Sequence, residues 1–153
     1  MRSVQIVPKI EDCNCLAVRQ AARHVTQFYD RFLAPIGLRT TQYSILGKLK
    51  RAGAMTINTL AAELVMDRTT LGRNILPLQR EGLVAVRPGK TDRRSKELQL
   101  TELGRARYEA GAERWLEAQH QFEATFGDKR TAELRALLRA VAATELGAAE
   151  ATN

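Results

Sequence analysis

Apolar positions along the chain recur first at helical spacing, then at strand spacing, then at helical spacing again. Leu16, Val18, Ala21, Ala22, Val25, Phe28, Tyr29 and Phe32 lie three and four apart, which predicts a helix from Asp12 that Pro35 and Gly37 end. Residues 1–11, with Pro8, read as an arm. The segment RTTQYSILGKLKRAG (39–53) predicts a second helix, with Thr40 or Thr41 as its N-cap and Gly53 as its stop. Two shorter units follow. MTINTLAAELVM (55–66) sets Ile57, Leu60, Ala61 and Leu64 on one face behind a Thr56 cap. DRTTLGRNILPLQREGL (67–83) opens on Asp67, turns Leu71, Ile75 and Leu78 inward and stops at Gly82. Two short amphipathic helices joined this tightly form a helix-turn-helix.

The period then changes. LVAVR and KELQL flank a Pro-Gly turn region and read as a β-hairpin. Thr101 is placed to cap a long helix that Leu103, Ala106, Tyr108, Ala110, Trp115, Leu116, Gln119 and Phe122 carry to about Phe126. After Gly127 a last helix puts Leu134, Leu137, Leu138 and Val141 on one face, and residues 147–153 read as a frayed tail. A hairpin directly after a helix-turn-helix is a winged helix. The predicted fold is therefore mainly α with a small β-hairpin: residues 39–101 form the winged unit, and 12–38 and 102–146 flank it. The flanking apolar stripes exceed what so small a core can cover, so they need another surface, most simply a second copy of the chain.

Composition narrows the function. The 153 residues suit one domain with a real core. Lys and Arg number 24 against 17 Asp and Glu, a net +7 that favours an anionic partner without identifying it. No continuous apolar run opens the chain and no window approaches a membrane span, so neither a signal peptide nor a membrane partner is expected. Two cysteines are too few for a disulfide framework, and a reducing cytoplasm is the expected setting. With two histidines, no glycine-rich phosphate loop and no Ser or Cys beside a base, the inventory predicts neither an enzyme nor a bound cofactor or metal.

The charge concentrates at RPGKTDRRSKELQLT (87–101), where five basic residues fall within the ten from Arg87 to Lys96. On the second helix of the helix-turn-helix, the set facing away from the core is Arg68, Thr69, Thr70, Arg73 and Asn74. Arg suits the O6 and N7 edge of guanine, Thr suits a thymine methyl or a phosphate, and Gly72 leaves room for close approach. On the hairpin, Lys90, Arg93 and Lys96 suit phosphates, although charges at a hairpin tip also serve simply to block edge aggregation.

TDRRSKELQLTELG and LAAELVMDRTTLGRNILPLQREGLV, in this order, resemble the multiple antibiotic resistance regulator (MarR) family of transcription factors, over roughly residues 12–145. The resemblance implies a homodimer with interlocked N- and C-terminal helices and two winged helices on a pseudo-palindromic DNA operator. It implies that Arg94 enters the minor groove and that Asp92 orients it. It also implies release by a small, often aromatic or carboxylate-bearing, effector held between the dimer helices and the winged unit, for which Arg19, Arg23, His24, Tyr43 and Trp115 are candidates. Core or interface is the more usual place for Tyr43 and Trp115, and helix surface for His24. Pro77 departs from the pattern, and should bend or weaken the helix there.

Cys13 and Cys15 sit at the start of the first helix, where a thiol is more reactive. Redox sensing is thus an alternative, although residues two apart on a helix face different sides and disfavour a disulfide within the pair. Four thiols from two chains match a cluster-ligand number only if the pairs meet. The other alternative is a basic architectural module that uses charge without reading sequence.

Overall fold

A computed structural model describes residue 7 and residues 9–147; the remainder of the expected arm and the tail beyond Gly147 lie outside the described residues. The elements run α1 (Asn14–Leu33), α2 (Thr40–Ala52), β1 (Met55–Thr56), α3 (Ile57–Glu63), α4 (Arg68–Arg80), β2 (Val84–Pro88), β3 (Lys96–Leu100), α5 (Glu102–Phe126) and α6 (Asp128–Ala143). A short 3-10 turn at Ala34–Ile36 follows α1, and Gly37 leaves it at a φ of 71°, a left-handed conformation that glycine adopts without strain.

The expected caps form at three of the four helix starts. Thr56 accepts from the Thr59 amide, Asp67 from that of Thr70 and Thr101 from that of Gly104, each satisfying an orphan donor of the first turn. The fourth differs. Neither Thr40 nor Thr41 caps α2; Arg39 holds the cap position, and the Thr40 amide donates to Asp30 Oδ1 at 2.7 Å. A carboxylate from α1 thus does the work expected of a local hydroxyl. Pro77 is accommodated too: α4 runs unbroken through it to Arg80, because buried Ile75 and Leu78 hold the helix to the core on either side.

The wing has a third strand. β1 pairs antiparallel with β3 (Met55 opposite Leu98, Thr56 opposite Glu97), and β2 pairs with the other edge of β3 (Val84 opposite Leu100, Pro88 opposite Lys96), giving the order β1-β3-β2. Thr56 is the expected cap of α3, and the strand that it forms with Met55 is the addition. A two-residue strand carries too few positions to show a period.

The core lies mainly inside the winged unit and takes in Leu33 from the end of α1. Leu33, Ile45, Leu46, Leu60, Leu71, Leu78 and Leu83 are fully buried there. On α5 the buried residues are Gly104, Gly111 and Ala118, seven apart, while Leu103 and Leu116 stay about half exposed. Small residues let the helix approach its neighbours closely. A Cβ at Gly111 would press on Ile36 and Tyr43, and one at Gly104 would overlap the Leu83 carbonyl oxygen outright.

That last approach joins α5 to the end of α4. Gly82 turns the chain at a φ of 72°, and the Leu83 amide returns to the Leu78 carbonyl at 2.8 Å. The Thr101 hydroxyl then donates to the Gly82 carbonyl at 2.6 Å while capping α5. Gly104→Ala should therefore cost about 1–3 kcal/mol by overpacking. Gly72→Ala, where an added Cβ meets nothing within 4 Å, should gain about 0.5–1 kcal/mol from helix propensity. Urea unfolding of both variants checks this, and a Gly104→Ala protein as stable as wild type would contradict the close approach.

Candidate nucleic-acid interface

Helix α4 turns Leu71, Ile75 and Leu78 into the core, which fixes its opposite face outward. Arg68, Thr69, Thr70 and Arg73 are exposed and Asn74 is partly exposed. They are not equally available. The Thr70 hydroxyl donates to Asp67 Oδ2 at 2.5 Å, and Asn74 Nδ2 donates to the Thr70 carbonyl at 2.9 Å. Both side chains are spent on the helix's own first turns. Among the described residues, Arg68, Thr69 and Arg73 make no side-chain hydrogen bond, so their donors are free for a ligand.

The wing tip closes on itself. Gly89 donates to the Ser95 carbonyl at 2.9 Å, and the Ser95 amide and hydroxyl both reach the Asp92 carbonyl, at 3.1 and 2.8 Å. A Cβ at Gly89 would lie 2.5 Å from that same carbonyl, so the loop closes only around glycine. Asp92 Oδ1 accepts from the Arg94 amide at 2.9 Å. The aspartate thus fixes the backbone from which Arg94 springs, and its bond is to the main chain, not to the guanidinium. Lys90, Asp92, Arg93 and Arg94 are all exposed.

Wing and helix face one another across a cleft of about 620 Å³. Its floor is apolar, with Ile75, Val86 and Leu98. Arg68 rims it from α4, and Arg87, Arg93, Arg94 and Lys96 from the wing. The sequence offers Lys96 as a phosphate contact and Arg87 only as part of a charge count; the place of both on the rim follows from β2 and β3 pairing beside α4, which no local pattern signals.

The five effector candidates do not converge. Arg19, Arg23 and His24 are exposed on α1, and the Arg23 Nε folds back onto the Arg19 carbonyl. Tyr43 is buried and stacks on Tyr108 at 4.6 Å between ring centres, with Trp115 at 6.4 Å. Burial first, and then the Tyr108 hydroxyl, push the Tyr43 phenol well above its ordinary range, so it stays neutral. None of the five lines the apolar groove of about 340 Å³ between α1, α5 and α6, where Val25, Phe122 and Leu138 meet.

Both cysteines are free. Cys13 is the extended N-cap of α1, and its Sγ accepts from the Leu16 amide at 3.4 Å. The helical-phase argument against a bond to Cys15 therefore does not hold for this pair, since one member stands outside the helix. Among the described residues no group of three or more His, Cys, Asp or Glu is placed to hold a metal, and no helix is long and apolar enough to cross a membrane.

Residues 38–96 match the family model for the MarR family. The chain is 36% identical over 110 residues to the transcriptional activatory protein BadR of Rhodopseudomonas palustris, covering 69% of this chain and 63% of that protein's length. It is 30% identical over 112 residues to the uncharacterized HTH-type transcriptional regulator YwoH of Bacillus subtilis, covering 73% of this chain and 81% of that one. Its fold is similar to the crystal structure of the M. tuberculosis transcriptional regulator MosR in complex with DNA. There the TM-score is 0.74 and the identity 36%, with 88% of this chain and 100% of that chain covered.

The cap of α4 has a pH signature. The Thr70 hydroxyl, and after it the Thr70 amide, hold the Asp67 carboxyl below its ordinary range. A group depressed in the folded state adds stability above its unfolded value, near 3.9, and loses it as pH falls through the folded one. An NMR titration of the Thr70 amide should give a midpoint below about 3.9 and disappear in Asp67→Asn. A midpoint above it would contradict the cap.

Proposed function

The chain belongs to the MarR family of transcriptional regulators, and from that premise we propose that it binds a pseudo-palindromic operator as a homodimer. It represses where that operator overlaps a promoter, and a small aromatic or carboxylate-bearing ligand releases it. The observation that supports this most is the shared rim. Arg68 on α4 and Arg94 on the wing rim one cleft, and Arg73 stands exposed on the same helix as Arg68.

In this reading the N-terminal half of α4 enters the major groove. Arg73 takes a guanine edge, and Thr69 meets a thymine methyl or a phosphate. Arg68, on the cleft side, spans from the base edges to the backbone. The wing follows the duplex sideways. Arg94, set by Asp92, enters the minor groove, whose negative potential deepens where A·T pairs narrow it. Lys90 and Arg93 hold phosphates and add salt dependence without sequence choice. Thr70 and Asn74 serve chiefly to shape the helix that carries Arg73.

Support for the dimer comes from apolar surface that the single chain leaves open. Val18 and Leu138, about half exposed, line the groove between α1, α5 and α6, and Leu116 on α5 and Leu137 and Val141 on α6 are also half or more exposed. Large apolar side chains exposed beside an apolar groove mark an interaction surface more often than a plain solvent face. Two copies paired through it would hold their α4 helices on one face of the duplex, about one helical turn apart. Support for ligand control is the Tyr43–Tyr108–Trp115 stack, where α2 of the winged unit meets α5. A planar ligand competing for a place in that stack would part the two.

Arg94→Ala should weaken operator binding at fixed salt while leaving base preference within the α4 half-site intact. Arg73→Ala should relax that preference by about 1–3 kcal/mol at one base pair. Binding to operators varied one pair at a time separates the two roles. Wild-type affinity for Arg94→Ala, or an unaltered preference profile for Arg73→Ala, would count against the assignment.

A further inference from the structure

A positioning residue lies outside the DNA-facing surface. Arg107, on the second turn of α5, carries the least exposed basic side chain among the described ion pairs, at 29%. Its Nη1 donates at 3.3 Å to the Ile36 carbonyl, in the turn that ends α1, and at 3.3 Å to the Glu81 carboxylate. Glu81 is the C-cap of α4. One guanidinium therefore ties the end of the flanking helix to the end of the recognition helix. The fit leaves little slack, because a Cβ at Gly37 would come within 3.3 Å of the same nitrogen. No other described ion pair reaches α4 or its cap.

A half-exposed ion pair contributes little to stability. Its geometric effect is larger, for three reasons. A cation at a helix C-terminus opposes the helix dipole favourably. Thr101, Gly104 and Arg107 lie at intervals of three along one side of α5, and the first two already fasten α5 to Gly82 and Leu83. Arg107 adds the third point and alone extends it to the turn at Ile36. A body held at three points cannot swing about the other two. We propose that Arg107, through Glu81 and the Ile36 carbonyl, fixes the direction in which α4 leaves the flanking helices, and so sets the half-site spacing that the protein accepts. This inference rests on the operator-binding reading above.

The test uses the full chain and three duplexes: the best sequence the wild-type protein selects from a randomised pool, the same sequence with two base pairs inserted between half-sites, and a random duplex. The proposal expects wild type to bind the first far better than the second. Arg107→Gln should bind the selected duplex roughly fivefold or more weakly, and its ratio between the first two duplexes should shrink. Random-duplex affinity should stay unchanged. Glu81→Gln, at an exposed carboxylate where folding is not at risk, should act in the same direction, and the double variant should lose no more than the worse single. An unchanged spacing ratio in both single variants would overturn the proposal, as would an equal loss on all three duplexes. Wild-type indifference between selected and random DNA would instead remove the operator-binding reading, and this inference with it.

Discussion

The DNA-facing half of the molecule depends on how closely α5 can approach the end of α4. Leu83 is fully buried just beyond the Gly82 turn, and its carbonyl sits where a Cβ on residue 104 would be. Glycine at 104 removes the obstacle, and Thr101 fastens the contact by capping α5 with the hydroxyl that also reaches the Gly82 carbonyl. One hydroxyl, one missing side chain and one left-handed glycine thus turn a loop junction into a rigid joint. The wing strands leave from both sides of that joint, β2 after Leu83 and β3 before Thr101. The orientation of α4 relative to the wing is consequently a property of this joint and of Ile75, Leu78 and Leu98 packed behind it.

Charge is arranged on top of that frame. The described ion pairs are exposed to partly exposed and contribute little individually. What distinguishes the α4–wing surface is basic side chains left without acidic partners, standing over an apolar floor. Arginine suits such a place because its guanidinium stays charged and presents a planar fork to phosphate or guanine. The same economy shows in the polar residues. Asp67, Thr70 and Asn74 satisfy the start of α4, and Asp92 and Ser95 satisfy the wing tip. The free cations are then carried on turns that these bonds fix.

Much of this was legible in the sequence because it is local. The periods of α1 to α6, the caps at Thr56, Asp67 and Thr101 and the stops at Gly53, Gly82 and Gly127 are each written within a few residues. The inward face of α4 followed from spacing alone. What the sequence hid depends on partners distant along the chain. Thr40 or Thr41 is the expected cap of α2, and instead Asp30, 10 positions before Thr40, accepts from the helix's first amide. β1 exists only because β3 returns beside it. The 104–111–118 seam of small residues on α5 looks like the absence of a signal until the neighbouring helices are in place. Arg107 was invisible for the same reason, since its partners lie 71 and 26 residues away.

The central claim is that α4 and the wing read two grooves of one duplex from a single rigid unit. Dimethyl sulfate footprinting on selected DNA tests it most directly, since it reports guanine N7 in the major groove and adenine N3 in the minor groove at once. The account predicts two clusters of guanine N7 protection about ten base pairs apart, with adenine N3 protection beside each. Protection confined to one groove, or spread evenly along the duplex, would contradict it.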